Sequence, residues 1–141
     1  KSKALQVLFG LMQLRLQRKQ LTKQHQYKDN KMAVVWTVAQ CDYKLAETQG
    51  GVDYVNVIDV IHWRASDQDA DGNSGTSYGS VSIDTSDLAD GWIAYADLTE
   101  AEAITMFKNA LGAEQVTAIE ASIAAQISAL ANPTTGTGVP W

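Results

Sequence analysis

Cysteine and histidine are nearly absent from this chain, and that scarcity restricts the chemistry open to it. Cys41 is the one cysteine, so no intrachain disulfide can form and no Cys-based zinc site can close. Its place inside a strand-like run suits a small buried hydrophobe better than a reactive thiol. His25 and His62 are the two histidines, which leaves the usual nucleophile–base pairs almost no material. His62, beside Trp63 and Arg64, reads as structural. No glycine-rich phosphate loop is present: Gly50-Gly51 lacks the following Lys and Ser/Thr, and Gly136-x-Gly138 follows the last predicted helix instead of opening one. The longest apolar stretch, Ala4–Met12, is broken by Gln6 and Gly10, far short of the ~20 residues of a membrane span. Arg15, Arg18 and Lys19 follow it with no small-residue cleavage site, so it is not a signal peptide either.

Basic residues are scarce in one part of the chain only. Residues 1–31 hold eight Lys/Arg and one acid, a net +7, whereas residues 32–141 hold three basic residues and fifteen acids, a net −12. So sharp a division marks a tail joined to a domain. The acidic charge argues against broad nucleic-acid binding, which needs clustered Lys and Arg. In the basic segment Leu5, Leu8, Met12 and Leu16 fall at helical spacing, predicting a helix over about Lys3–Lys23. Three readings of 1–31 stay open: a basic amphipathic arm, a flexible tail, or a non-native leader with Met32 as the natural start.

From Ala33 the period becomes that of strands. Val34, Trp36 and Val38 alternate with Val35, Thr37 and Ala39, predicting a strand to about Tyr43, and Gln49-Gly50-Gly51 is a turn. Val52–Arg64 is dense in Val, Ile, Tyr and Trp. Strict alternation places Val55, Val57, Asp59, Ile61 and Trp63 on one face and Tyr54, Asn56, Ile58, Val60 and His62 on the other. Both faces are largely apolar, so this is the expected central strand. A polar loop, Ala65–Gly75, leads into a strand over Thr76–Thr85, the two forming a hairpin. Trp92–Tyr95 is an expected short edge strand.

Helices follow. Thr99-x-x-Glu102 is a capping box, and Ile104, Phe107 and Leu111 form one stripe that stops at Gly112, a C-terminal glycine. A second helix is expected from Ala113 to about Ala131, with Val116, Ile119, Ile123, Ile127 and Leu130 on one face, ended by Pro133. The expected fold is therefore α+β: a small antiparallel sheet of three to four strands, two helices, and an extended segment over 132–141. The domain is 32–131, preceded by 1–31.

Two features invite a functional reading. Asp67, Asp69 and Asp71, followed by Gly72, match the first half of a calcium loop, where alternate carboxylates converge on one ion. The closing position is Tyr78 instead of a bidentate Glu, so a solvated hairpin loop competes with a Ca²⁺ site. No other cofactor is expected. The second feature is the segment ending in Val139-Pro140-Trp141. A Trp stiffened by Pro140 reads as a plug for a pocket, on its own domain or on a neighbour, against the alternative of a frayed end. Trp63, Tyr78 and Trp92 join Pro140 and Trp141 as candidate contact residues, aromatic rings with polar handles that suit interfaces.

Four stretches in order, Ile61-His62-Trp63-Arg64, Ser77-Tyr78-Gly79-Ser80-Val81, Tyr95-Ala96-Asp97-Leu98-Thr99-Glu100-Ala101-Glu102, and the ending Asn132-Pro133 to Pro140-Trp141, resemble a family of small proteins of tailed bacteriophages, notably those of marine cyanobacteria. The likeness covers essentially all of 32–141. It implies a component of the virion, assembled in the bacterial cytoplasm: a capsid decoration, neck or tail-fibre attachment module. Its partners would be other virion proteins in homo- or hetero-oligomeric contacts, with neither nucleic acid nor membrane involved. The resemblance carries over no catalytic residue, and an enzyme is not expected. Two alternatives stand beside it: a carbohydrate- or receptor-binding module of a phage tail, and a non-virion assembly or host-modulating protein.

Overall fold

The structure, a computed structural model, describes residues 12–17 and 33–141. The chain divides into two compact units, Lys1–Met32 and Ala33–Trp141. In the first, residues 12–17 are helical, with Met12, Leu14 and Leu16 exposed. That agrees with the predicted helix over those positions, while Leu5 and Leu8 lie outside the described residues.

The second unit is α+β. Strands β1 (Val35–Gln49), β2 (Val52–Gln68) and β3 (Ser74–Ser82) form an antiparallel sheet of order β1-β2-β3. Helices α1 (Glu100–Leu111) and α2 (Ala113–Ala131) follow. β2 is central, as its two apolar faces predict. Both β1 and β2 run further than expected. β2 continues to Gln68 because Ala65, 1% exposed, still lies against the core. The expected long loop shrinks to a tight turn between Gln68 and Ser74, in which the Asp69 carboxylate accepts from the Asn73 and Asp71 amides (2.8 and 3.0 Å). The expected edge strand at Trp92–Tyr95 is absent. These residues run as turns and coil, with Trp92 edge-on to Tyr54 (5.0 Å) and Tyr95 tilted on Tyr43 (4.8 Å). Packing of the rings against the sheet replaces ladder hydrogen bonds there.

One sheet face is covered by the helices. Trp36, Ile61, Trp63 and Ala65 pack there against Ala103 and Phe107 of α1 and Ile123 and Ile127 of α2. Phe107, Ile61 and Ile123 are fully buried, each contributing about 2–3 kcal/mol by removal from water. Polar groups at the rim are satisfied: the Trp36 indole donates to Glu120 Oε1 (3.2 Å), and Lys108 Nζ lies 4.8 Å over the Trp36 ring. The predicted capping box forms, Thr99 Oγ1 accepting from the Glu102 amide and Glu102 accepting from the Thr99 amide. Gly112, at φ +87°, ends α1 and opens α2 in a conformation that L side chains disfavour. Leu130, expected in the buried stripe of α2, is 57% exposed because it lies beyond the last core layer at Ile127.

The strict alternation expected of β2 fails at a bulge. The register shifts between Asp42 and Tyr43, leaving Asp59 unmatched, and again between Val38 and Gln40. Nearby, Asn56 adopts a positive φ of 54°. Two adjacent residues are thereby buried on different clusters: Ile58 joins the main core, while Val57 joins Tyr54 and Leu88. A bulge reorients side chains in this way without ending a strand.

Candidate functional site

Where all three strands pair, no described residue covers the opposite face of the sheet, and strand register determines what it displays. Cross-strand neighbours form rows: Gln40, His62 and Ser80; Thr37, Arg64 and Tyr78; Val35, Ser66 and Thr76. Residues directly opposite on one face are close enough to interact. Asp42 stands beside the first row, sharing a 2.7 Å hydrogen bond with His62 Nε2 and accepting from Gln40 Nε2 at 2.8 Å. The His62 bond foremost, then that of Gln40, holds the Asp42 carboxyl below the ordinary carboxylate range. Tyr78 is the dominant projection, 83% exposed.

Asp42, His62 and Ser80 are the residue types of an acyl-transfer triad brought to one surface. Among the described residues, however, no hydrogen bond joins Ser80 to His62, and the row lies on an open sheet. Nor do the depressions elsewhere resemble a substrate site. One of about 90 Å³ lies between the sheet and the 83–98 connection, bordered by Ile58, Leu88, Trp92 and Met106. A wider one of about 460 Å³, open to solvent, is bordered by Gln49, Tyr54 and Ser86. Small-molecule pockets run from ~300 to 1,000 Å³ with apolar walls and a few converging polar groups. The first falls short in size, and the second has a single aromatic wall.

The two sheet edges differ. On β1 the Val38 amide donates to Glu100 Oε1 (3.2 Å), and the strand carries a bulge and the Lys44–Glu47 ion pair (2.7 Å). These are features that blunt an edge. β3, Ser-Gly-Thr-Ser-Tyr-Gly-Ser-Val-Ser, has no charge and no proline. Among the described residues one side chain caps its edge: the Gln126 amide accepts from Thr76 N (3.1 Å) and donates to Thr76 O (3.0 Å), standing in for a neighbouring strand. Ile83 N donates to Asp59 O on β2, so odd-numbered residues of β3 face the ladder and even-numbered ones face outward. Beyond Thr76, the backbone groups of Tyr78, Ser80 and Ser82 point away from β2.

The candidate residues are thus scattered. Trp63 is corrected from contact residue to core: it is 5% exposed, tilted on Trp36 at 5.3 Å and stacked near Phe107. Trp92 is half-buried against Tyr54 and Leu88. Tyr78 projects from the open face. Trp141 is 93% exposed and Val139 69% exposed in an extended segment, and Pro140 is exposed with them, so Trp141 does not plug a pocket on its own domain. The aspartates of the calcium reading are not brought together. Asp69 is engaged by the Asn73 side chain as well as by turn amides, which lower its pKa, and Asp67 accepts from the Gln68 amide. Among the described residues no three His, Cys, Asp or Glu side chains group as a metal site would require. Cys41 packs against the core, where burial first and Asp42 second raise its pKa, as fits an inert thiol. Sequence reasoning missed the Asp42–His62 pair and the Gln126 cover, because the first depends on a bulge and the second on how α2 sits across an edge.

The domain is thus α+β, its sheet covered by helices on one face and, among the described residues, open on the other. Residues 32–141 match DUF7936, a domain of unknown function, and the chain belongs to that family. No curated protein and no solved structure matches the chain. Among the described residues no helix is long and apolar enough to cross a membrane.

Proposed function

We propose that this domain works without catalysis, as a structural or accessory protein of a phage particle that holds to other virion proteins. One observation carries the reading: the open sheet face bears Tyr78 at 83% exposure while the 133–141 segment leaves Trp141 at 93%. Aromatic residues of this kind anchor protein interfaces. At ~3.3 Å per residue and ~4.8 Å between strands, the paired part of the sheet presents roughly 400 Å². A standard interface needs about 800 Å² per partner, so the open face requires help from the edge and the extended segment. The resemblance to small phage proteins supports a role at a capsid, neck or tail-fibre attachment.

The carbohydrate alternative loses support, since it needs exposed coplanar rings and the described open face offers Tyr78 alone. Mass spectrometry of purified particles tests the proposal. Stoichiometric presence of the protein is expected. Its presence in infected cells but absence from particles would overturn the proposal in favour of a non-virion assembly or host-modulating role.

A further inference from the structure

The bare edge of β3 has a feature beyond its unpaired backbone. The Trp63 indole N–H is buried and has no hydrogen-bond partner among the described residues, a state that costs free energy and that folded proteins avoid. Its ring lies directly beneath Gly79 of the edge strand: a Cβ built there would stand 2.7 Å from Cζ2 and 3.4 Å from Nε1. An unsatisfied donor therefore lies next to the same stretch, Tyr78–Ser82, whose outward amides and carbonyls make no hydrogen bond among the described residues. The chain contains a segment that complements both needs. Thr134 to Val139 lies outside helix and strand, is exposed and carries four β-branched residues, Thr134, Thr135, Thr137 and Val139, yet it makes no hydrogen bond among the described residues. Val139 and Trp141 are left in water.

We infer that the β3 edge of one copy accepts the 134–139 segment of a second copy as a fourth strand, with a threonine hydroxyl of that segment accepting from the Trp63 indole. This rests on the reading of the bare sheet as a protein-binding surface and names its partner. Pro133 and Pro140 bracket the segment, and neither can donate to a ladder. They confine pairing to the six residues between them, enough to span Tyr78–Ser82, which covers about 13 Å. Period-two alternation puts Thr135, Thr137 and Val139 on one side. With that side toward the core and the segment running parallel to β3, the amides of Thr135, Thr137 and Val139 face the edge, a hydroxyl reaches the indole and Val139 leaves water. A second copy is favoured over a foreign strand because the open donors and acceptors and the uncovered apolar residues belong to one chain. The two surfaces differ, so the contact closes as a reciprocal exchange between two copies or propagates.

The test is association of the purified full chain, read by light scattering after gel filtration. The full chain is expected to associate. Deleting 133–141, or the Thr137→Pro change that removes one donor outside the folded core, weakens association at least ~10-fold. Ser80→Pro, which removes an outward donor, does the same. Mixing the deleted chain with Ser80→Pro restores a complex, because one supplies the edge and the other the strand. Should Ser80→Pro fail to fold by circular dichroism, the deletion and Thr137→Pro still decide. A monomeric full chain at ~0.1 mM, or undiminished association after the deletion, overturns the inference; the latter points to β3 pairing with β3. None of these results depends on whether the protein is found in particles, so this inference and the proposed function fail separately.

Discussion

Gly75 permits the closest approach between a helix and the sheet, and replacing it with alanine tests how α2 is seated. A Cβ at this position would stand 2.5 Å from the carbonyl oxygen of Ile123, 3.1 Å from Ile123 Cγ2 and 3.2 Å from Gln126 Cβ. The nearest atom is backbone in the middle of α2, so it cannot swing aside as a side chain would. The helix must back away from β3 or β3 must bend. Either response loosens Ile123, which is fully buried, and pulls the Gln126 amide off Thr76. Overpacking of this kind costs about 1–3 kcal/mol, and two weakened hydrogen bonds add about 1 kcal/mol, so a loss of about 3 kcal/mol is expected. For a domain of roughly 110 residues that lowers Tm by about 12 °C, or the urea midpoint by about 2 M. Gly136→Ala is the control, since a Cβ there meets nothing within 4 Å. Urea titration followed by circular dichroism reads both. A Gly75→Ala midpoint equal to that of Gly136→Ala would refute the close approach of α2 to β3.

Four further outcomes follow from the same packing. Phe107→Ala empties the centre of the core and should cost about 3–5 kcal/mol by denaturant titration. Thr99→Ala removes the side-chain half of the capping box and should cost about 1 kcal/mol, a loss that Thr99→Ser largely restores. The carboxyls of Asp42, Asp69 and Glu102 are held below their ordinary range by hydrogen bonds from His62, from Asn73 and from the Thr99 amide respectively. Groups depressed in this way stabilise the fold above the ordinary carboxylate range and lose that contribution as pH falls through their lowered values. Acid titration should therefore show stability declining from about pH 4 downward, and Asp69→Asn should reduce the slope of that decline. Gln126→Ala uncovers Thr76 and should cost about 1 kcal/mol while raising concentration-dependent association, measured by light scattering.

The helices were legible almost residue by residue, because their boundaries are local chemistry: Thr99 and Glu102 at one end, Gly112 between, Pro133 beyond. The central placement of β2 was legible from its two apolar faces. The facing of individual β2 residues was not, because period-two reading assumes an unbroken ladder and Asp59 has no partner on β1. Trp63 illustrates a similar limit at the site. A tryptophan beside His62 and Arg64 has the composition of a contact surface, and only register determines that it points under Gly79 while its neighbours point outward. The exposure of Tyr78 follows from the same parity. Trp92 misled differently, since ring packing on Tyr54 needs no strand. The tight turn at Asp69–Asn73 satisfies the same aspartate pattern that predicts an ion loop, and sequence spacing does not separate the two.

The Gln126 amide has a consequence for specificity. A strand that docks on a plain edge can slip by two residues and keep every side chain on its proper face, so an edge alone chooses direction and parity but not position. Here one place on β3 is already occupied by a side chain anchored in a helix, and the sequence of free places starts at Tyr78. Helix α2 thereby acts as a stop, counting off where an added strand must begin.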